Sequence, residues 1–221
     1  MFTLENFHRT YGADKTEAVI KGRTFRFFVP ATLDPFIDSQ DLFRGFPLWA
    51  KIWEPSLVLA DYLAGMPPDP EKLLLEIGAG LGMVGIVAAA FGHRVTLSDL
   101  DVHCLDFTRA NGMLNHFSDL EVIKLDWSAP ELDRSFDYIV GSEVVYDEKH
   151  FSPLKDFFKA YLKPGGEVIL TAGMRPTSME FFKQMNDFFH IKAQKMSLRS
   201  EDRKIPVLLA RLTPRTCPAE K

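Results

Sequence analysis

The run Leu73-Leu74-Leu75-Glu76-Ile77-Gly78-Ala79-Gly80-Leu81-Gly82-Met83-Val84-Gly85 constrains this chain more than any other stretch. Apolar residues sufficient for one buried strand lead into a loop with glycines at 78, 80 and 82, and an Ala-rich helical pattern follows through Ala90. The order reads as strand, tight turn and helix N-terminus. Glycines at this density serve a backbone that must take positive φ or let a ligand approach closely. Gly80-x-Gly82-x-x-Gly85 fits the dinucleotide pattern, in which a pyrophosphate sits on the helix N-terminus. A second frame, Glu76-x-Gly78-x-Gly80-x-Gly82, overlaps it and adds an acid at the strand end. A strand-turn-helix that serves packing alone is the third reading.

Downstream the pattern alternates. Arg94 to Ser98 predicts a strand ending at Asp99, and Val102 to Phe117 a helix. Leu120 to Leu125 is a strand ending at Asp126-Trp127, and Phe136 to Val140 one ending at Gly141-Ser142-Glu143. Phe151 to Leu162 is helical and stops at Lys163-Pro164-Gly165-Gly166. A strand over Glu167 to Thr171 and a helix over Ser178 to Phe189 follow. Runs near Ile191 to Leu198 and Ile205 to Leu212 lack a helix between them and predict an antiparallel pair. Strands separated by helices of this length imply an α/β fold with a mostly parallel sheet covered on both faces. Before it, residues 1–17 read as a polar arm or short helix, and Ala18-Val19-Ile20 and Thr24 to Val29 flank a hairpin turn at Lys21-Gly22-Arg23. The expected organisation is an N-terminal extension over 1–45, a core domain over 46–213 and a tail over 214–221.

Composition narrows the function classes. A net charge of −4 over 221 residues argues against a surface built to hold nucleic acid phosphates. Cys104 and Cys217 form no spaced framework, which fits a reducing cytoplasm. No membrane span or signal layout is present in the pattern, so the expected location is cytoplasmic. His8, His93, His103, His116, His150 and His190 show no ligand spacing with the cysteines, and no metal is expected.

The order of elements over roughly 46–213 resembles the class I seven-stranded S-adenosylmethionine (SAM) methyltransferases, whose sheet is Rossmann-like. Glu76-x-Gly78-x-Gly80-x-Gly82 is similar to motif I of that family. The resemblance implies SAM as cofactor, with S-adenosylhomocysteine as product. SAM carries no phosphate, so its cationic amino-acid end favours a carboxylate, which Glu76 supplies through the loop or water. Asp99 then takes the ribose hydroxyls, a role a dehydrogenase would share; capping the next helix is its plain alternative, and Asp101 serves that equally. Asp126 resembles the acid that accepts a hydrogen bond from the adenine amino group, with Trp127 against the base or filling the core. All these residues fall at the carboxyl ends of strands, where open α/β sheets bind their ligands.

A narrower resemblance points to the protein-lysine methyltransferase branch. Trp49-Ala50-Lys51-Ile52-Trp53-Glu54-Pro55-Ser56 before a helical run is similar to its Trp-then-helix segment, which adds Trp53 to the cofactor side. Ser142-Glu143-Val144-Val145-Tyr146 resembles its acid-x-x-Tyr motif, with Glu143 where Asp is usual and Ser142 beside it facing the cofactor. The implied function is N-methylation of a lysine on a protein substrate, Glu143 orienting the amine first and receiving its proton second. Tyr146 walls the site or packs at a helix start. The alternatives are a methyltransferase for a small amine or another protein side chain, and, more distantly, an NAD-dependent oxidoreductase, for which no Tyr-x-x-x-Lys pair is placed. Asn/Asp-Pro-Pro-Tyr/Phe, expected of a nucleic-acid methyltransferase, is missing after the relevant strand. Phe25, Phe27, Phe28, Phe36, Phe43 and Phe46 form either a lid or core, and the alternation of Phe25 and Phe27 favours core.

Overall fold

A computed structural model of the chain describes residues 2–37, 47–200 and 203–215. Phe43, Phe46, Cys217 and most of the expected tail lie outside them. The described chain opens with α1 (Leu4–Thr10) and a hairpin of β1 (Ala13–Ile20) and β2 (Arg23–Pro30). The alternation then runs α2 (Glu54–Gly65), β3 (Leu73–Ile77), α3 (Met83–Ala90), β4 (Arg94–Asp99), α4 (Val102–Leu114), β5 (Glu121–Lys124) and β6 (Phe136–Ser142). It closes with α5 (Phe151–Tyr161), β7 (Leu162–Gly173), α6 (Pro176–Met185), β8 (Phe189–Ser200) and β9 (Arg203–Pro214). The main sheet has seven strands in the order β5-β4-β3-β6-β7-β9-β8. Its first five strands are parallel; β8 and β9 form the antiparallel pair that the sequence predicts, and β9 also pairs antiparallel with β7.

Side-chain alternation sorts the core onto two faces. From β3, Leu75 and Ile77 pack with Phe151, Leu154, Phe157 and Phe158 of α5 and Phe181 and Phe182 of α6. Leu74 points the other way, to Leu59 and Leu63 of α2 and Val84, Ile86 and Val87 of α3. Glu76 shares that second face by period two. The hairpin adds Ile20, Phe25 and Phe27 to this layer, while Phe28 joins Phe7 and Phe107 in a satellite cluster against α4. Phe25, Phe27 and Phe28 are therefore core, each no more than 4% exposed.

Several boundaries differ from the sequence reading for local reasons. β1 begins at Ala13, five residues before the first apolar run, because its outer positions are exposed and polar and only pairing with β2 defines it. Lys21 and Gly22, both at positive φ, make a two-residue turn whose twist suits a hairpin. α4 stops at Leu114 rather than Phe117: the amides of His116 and Phe117 turn back to the carbonyls of Met113 and Gly112, a left-handed C-terminal cap. α6 ends at Met185, and Phe189, read as helical, instead opens β8 with its ring buried. Among the described residues no helix is long and apolar enough to cross a membrane.

Candidate functional site

Strand order reverses at β3, whose partners β4 and β6 lead away in opposite directions, and Ile77 pairs with Gly141 across the seam. Gly78 and Ser142 therefore leave the sheet side by side. This is where an open α/β sheet presents its ligand crevice. The loop after β3 carries Gly78, Gly80 and Gly82 at φ of 60°, 55° and 77°. A Cβ on Gly78 would lie 2.9 Å from Val144 Cγ1, so this position requires glycine for space as well as for φ.

The loop is held from every side. Gly80 N donates to Asp99 Oδ2 at 2.9 Å, and Gly80 O accepts from Thr108 Oγ1 at 2.9 Å. Ala79 N donates to Ser98 O at 2.9 Å. Buried Asn111 of α4 donates to Leu81 O at 2.9 Å and to Phe28 O at 3.2 Å, and accepts from Phe28 N at 2.6 Å. One side chain thus ties the hairpin to the glycine loop. Trp49 lies over Gly80 and packs on Phe36 and Phe107.

Glu76 is 2% exposed and reaches the loop from beneath, accepting from Gly85 N at 2.8 Å. Burial pushes its carboxyl up to about 8. The acid caps α3 rather than facing the crevice, so any action on a ligand passes through the loop it holds. Gly85, the last glycine of the dinucleotide pattern, is explained by the same contact: a Cβ there would lie 2.6 Å from Glu76 Oε2 and from Leu97. It allows close packing of helix on strand.

Asp99 is not the helix cap. That role falls to Asp101, which accepts from His103 N at 2.8 Å, while Asp99 Oδ1 takes Asp101 N and Oδ2 takes Gly80 N. Burial raises its carboxyl above the ordinary range. Asp126, beyond β5, closes its own turn by accepting from Ser128 N at 2.8 Å and from Ser128 Oγ, which holds its carboxyl low. Trp127, partly buried against the core, meets His150 edge to face at 5.6 Å, and His150 meets Tyr146 at 5.5 Å. Burial lowers His150 and raises Tyr146 from their ordinary values. His150 joins this wall although its sequence spacing gave no sign of it.

At the end of β6, Glu143 sits at φ 57°, a left-handed conformation unusual for a side-chain-bearing residue. Its amide donates to Thr171 O at 2.9 Å, Oε1 accepts from Gly173 N at 2.6 Å, and Oε2 pairs with Arg175. Strained backbone of this kind persists where neighbours over-determine it, and it clusters at functional sites. Ser142 Oγ is buried without a hydrogen-bond partner, alone in this among the side-chain atoms of the described residues. Trp53 stands at the N-cap position of α2 with its side chain turned to the preceding turn, Nε1 donating to Leu48 O at 2.6 Å and Lys51 Nζ 4.9 Å from its ring centroid. The start of α2 meets the end of β7 where Thr171 Oγ1 donates to Pro55 O at 2.8 Å.

The groups along this rim fit a sulfonium nucleoside. The glycine floor would be filled by any Cβ at 78, Ser142 offers an unspent hydroxyl, and carboxylates stand at three strand ends, at Asp99, Asp126 and Glu143. Residues 46–188 match a family model described as lysine methyltransferase. The EEF1A lysine methyltransferase 3 of Mus musculus is 30% identical over 73% of this chain and 72% of its own length. The histone-arginine methyltransferase METTL23 of Mus musculus is 36% identical over 47% of this chain and 44% of its own. In fold, the chain is similar to the N-methyltransferase NodS from Bradyrhizobium japonicum, solved with S-adenosylhomocysteine, at TM-score 0.60 and 18% identity over 82% of this chain and 96% of that one. The chain belongs to the lysine methyltransferase family of class I SAM-dependent methyltransferases.

Proposed function

We propose that this chain methylates a lysine side chain of a protein substrate by direct in-line transfer. When bound, SAM supplies the activated methyl group. On this reading Gly78, Gly80 and Gly82 give the cofactor its backbone floor, with Glu76 holding that floor through Gly85. Asp99 takes the ribose hydroxyls, Asp126 and Trp127 the adenine, and Ser142 and Trp53 complete the wall. The observation that carries the acceptor side is Glu143, held in a left-handed backbone conformation at the strand end with each carboxylate oxygen engaged once.

A carboxylate has about four acceptor directions, so Glu143 retains capacity for an amine N–H. Two engaged oxygens make it an orienting group first. Transfer requires a neutral amine, and deprotonating a lysine from about 10.4 to pH 7 costs roughly 4–5 kcal/mol. Holding nucleophile and methyl donor near attack distance offsets this, since orientation can supply up to about 10 kcal/mol. Tyr146, 46% exposed beside His150, offers an aromatic wall over which the lysine stem can lie.

The likeness to a histone-arginine methyltransferase favours a second reading, in which the acceptor is a guanidinium. Incubating the enzyme with isotopically labelled SAM and a cell lysate, then locating label by peptide mass spectrometry, separates the two. Methyl-lysine in protein supports the proposal. Methyl-arginine alone favours the second reading, and label confined to small molecules rejects both.

A further inference from the structure

Glu143 poses a chemical difficulty that its neighbour resolves. A lone carboxylate beside an acceptor amine stabilises the ammonium, the form that cannot attack. Here Arg175 already pairs with Glu143 Oε2, from the turn between β7 and α6. A guanidinium stays charged throughout the working pH range. Its backbone is fixed at both ends, the Arg175 amide donating to Gly173 O at 2.9 Å and the carbonyl accepting from Met179 N at 3.0 Å. The side chain folds back across Gly173, where a Cβ would lie 3.1 Å from Arg175 Nε and 3.3 Å from Glu143 Oε1. Glycine at 173 is what leaves room for the pair.

We infer that Arg175 is a positioning residue for methyl transfer. Its fixed charge neutralises Glu143 and holds Oε2 while the Gly173 amide holds Oε1, so that the site takes the acceptor as a neutral amine. This rests on the proposed amine acceptor at Glu143. Among the described residues Arg175 is the cation within ion-pair distance of Glu143. The other ionisable groups of this rim are Tyr146, Asp147, Glu148, Lys149 and His150 on the turn after β6, Asp99 at the end of β4, Asp126 after β5 and Glu54 at the start of α2. Asp147 is paired with Lys149 at 2.8 Å, and Tyr146 feels both Asp99 and Asp147.

The test compares wild type with Arg175→Met and Arg175→Lys, using tritiated SAM and, as acceptor, the protein that labels in the wild-type lysate reaction, purified. Steady-state rates are followed from pH 6.5 to 10.5. In Arg175→Met the bare carboxylate binds the ammonium tightly and unproductively. At pH 7 kcat and KM for the acceptor should then fall together, each about tenfold, for a shift of one pH unit in the bound amine. kcat should recover at alkaline pH, and its ascending limb should move up by that unit. Arg175→Lys should restore the wild-type limb, and SAM affinity should be unchanged in both. A limb that stays in place, or a loss of kcat equal at every pH, overturns the inference while leaving lysine methylation intact. A wild-type enzyme that labels no lysine removes the proposed function itself, and with it the ground for this role of Arg175.

Discussion

The packing role assigned to Gly85 makes Gly85→Ala an informative substitution. Helix propensity alone favours it, since alanine is better than glycine in a helix interior by about 1 kcal/mol. The geometry opposes it. The new Cβ would stand 2.6 Å from Glu76 Oε2 and 2.6 Å from both Leu97 Cγ and Cδ2, well inside van der Waals contact. Leu97 is 0% and Glu76 2% exposed, so neither can swing into solvent, and Glu76 is bonded to the amide of Gly85 itself. Relief requires α3 to lift from the sheet. Overpacking of this kind costs about 1–3 kcal/mol, and with no free side chain to yield the upper figure applies. The net loss is then about 2 kcal/mol, or roughly 4–8 °C in Tm for a chain of this size. Circular-dichroism melts read it directly. Gly65→Ala is the control: its Cβ would meet Lys21 Cε at 3.7 Å, an ordinary contact, and its Tm should hold or rise slightly. A Gly85→Ala protein as stable as wild type, or more so, would refute the reasoning and return Gly85 to the role of a ligand-approach glycine.

Other consequences follow from the same loop. Because burial raises the Glu76 carboxyl from 4.5 to about 8, the folded chain keeps a proton that the unfolded chain releases between those values. Its contribution to stability is full below pH 4.5 and is lost as pH rises through 8. Glu76→Gln, which keeps an acceptor for Gly85 N, should therefore gain in Tm over wild type progressively from pH 5 to pH 9; a difference constant with pH would contradict this. Asn111→Ala removes partners from buried backbone groups of Phe28 and Leu81 and should cost on the order of 3 kcal/mol, with hydrogen-exchange protection lost first in β2. Protection lost uniformly would show that Asn111 is not the clamp.

How far the sequence could be read varied with the range of the interaction. The β3–α3 turn was legible because its glycines answer to local backbone geometry, and the parallel sheet because period two and period 3.6 alternate cleanly. Glu76 was legible as an acid at the strand end, but its partner was not, since the sequence offers two glycine frames and only packing decides which glycine meets the acid. Asp99 and Asp101 were interchangeable as caps until the chain folded. Asn111 and Arg175 left no signal: one lies eighty-three positions from Phe28 and the other thirty-two from Glu143, and neither sits in a pattern of residue types. The limits of β1 and α6 were missed for the converse reason. A polar edge strand and a helix that yields to a buried Phe189 are set by their neighbours, not by their own composition.

The central claim, that one rim holds the cofactor through Asp99 and aims the acceptor through Glu143, is tested most directly by separating the two functions. Calorimetric titration with SAM and lysine-methylation rates would be measured on Asp99→Ala and Glu143→Gln. Asp99→Ala should weaken SAM binding about 10–100-fold. Glu143→Gln should bind SAM within about threefold of wild type and lose roughly a hundredfold in rate. Loss of SAM affinity in Glu143→Gln to match its loss of rate, or unchanged affinity in Asp99→Ala, would contradict the account.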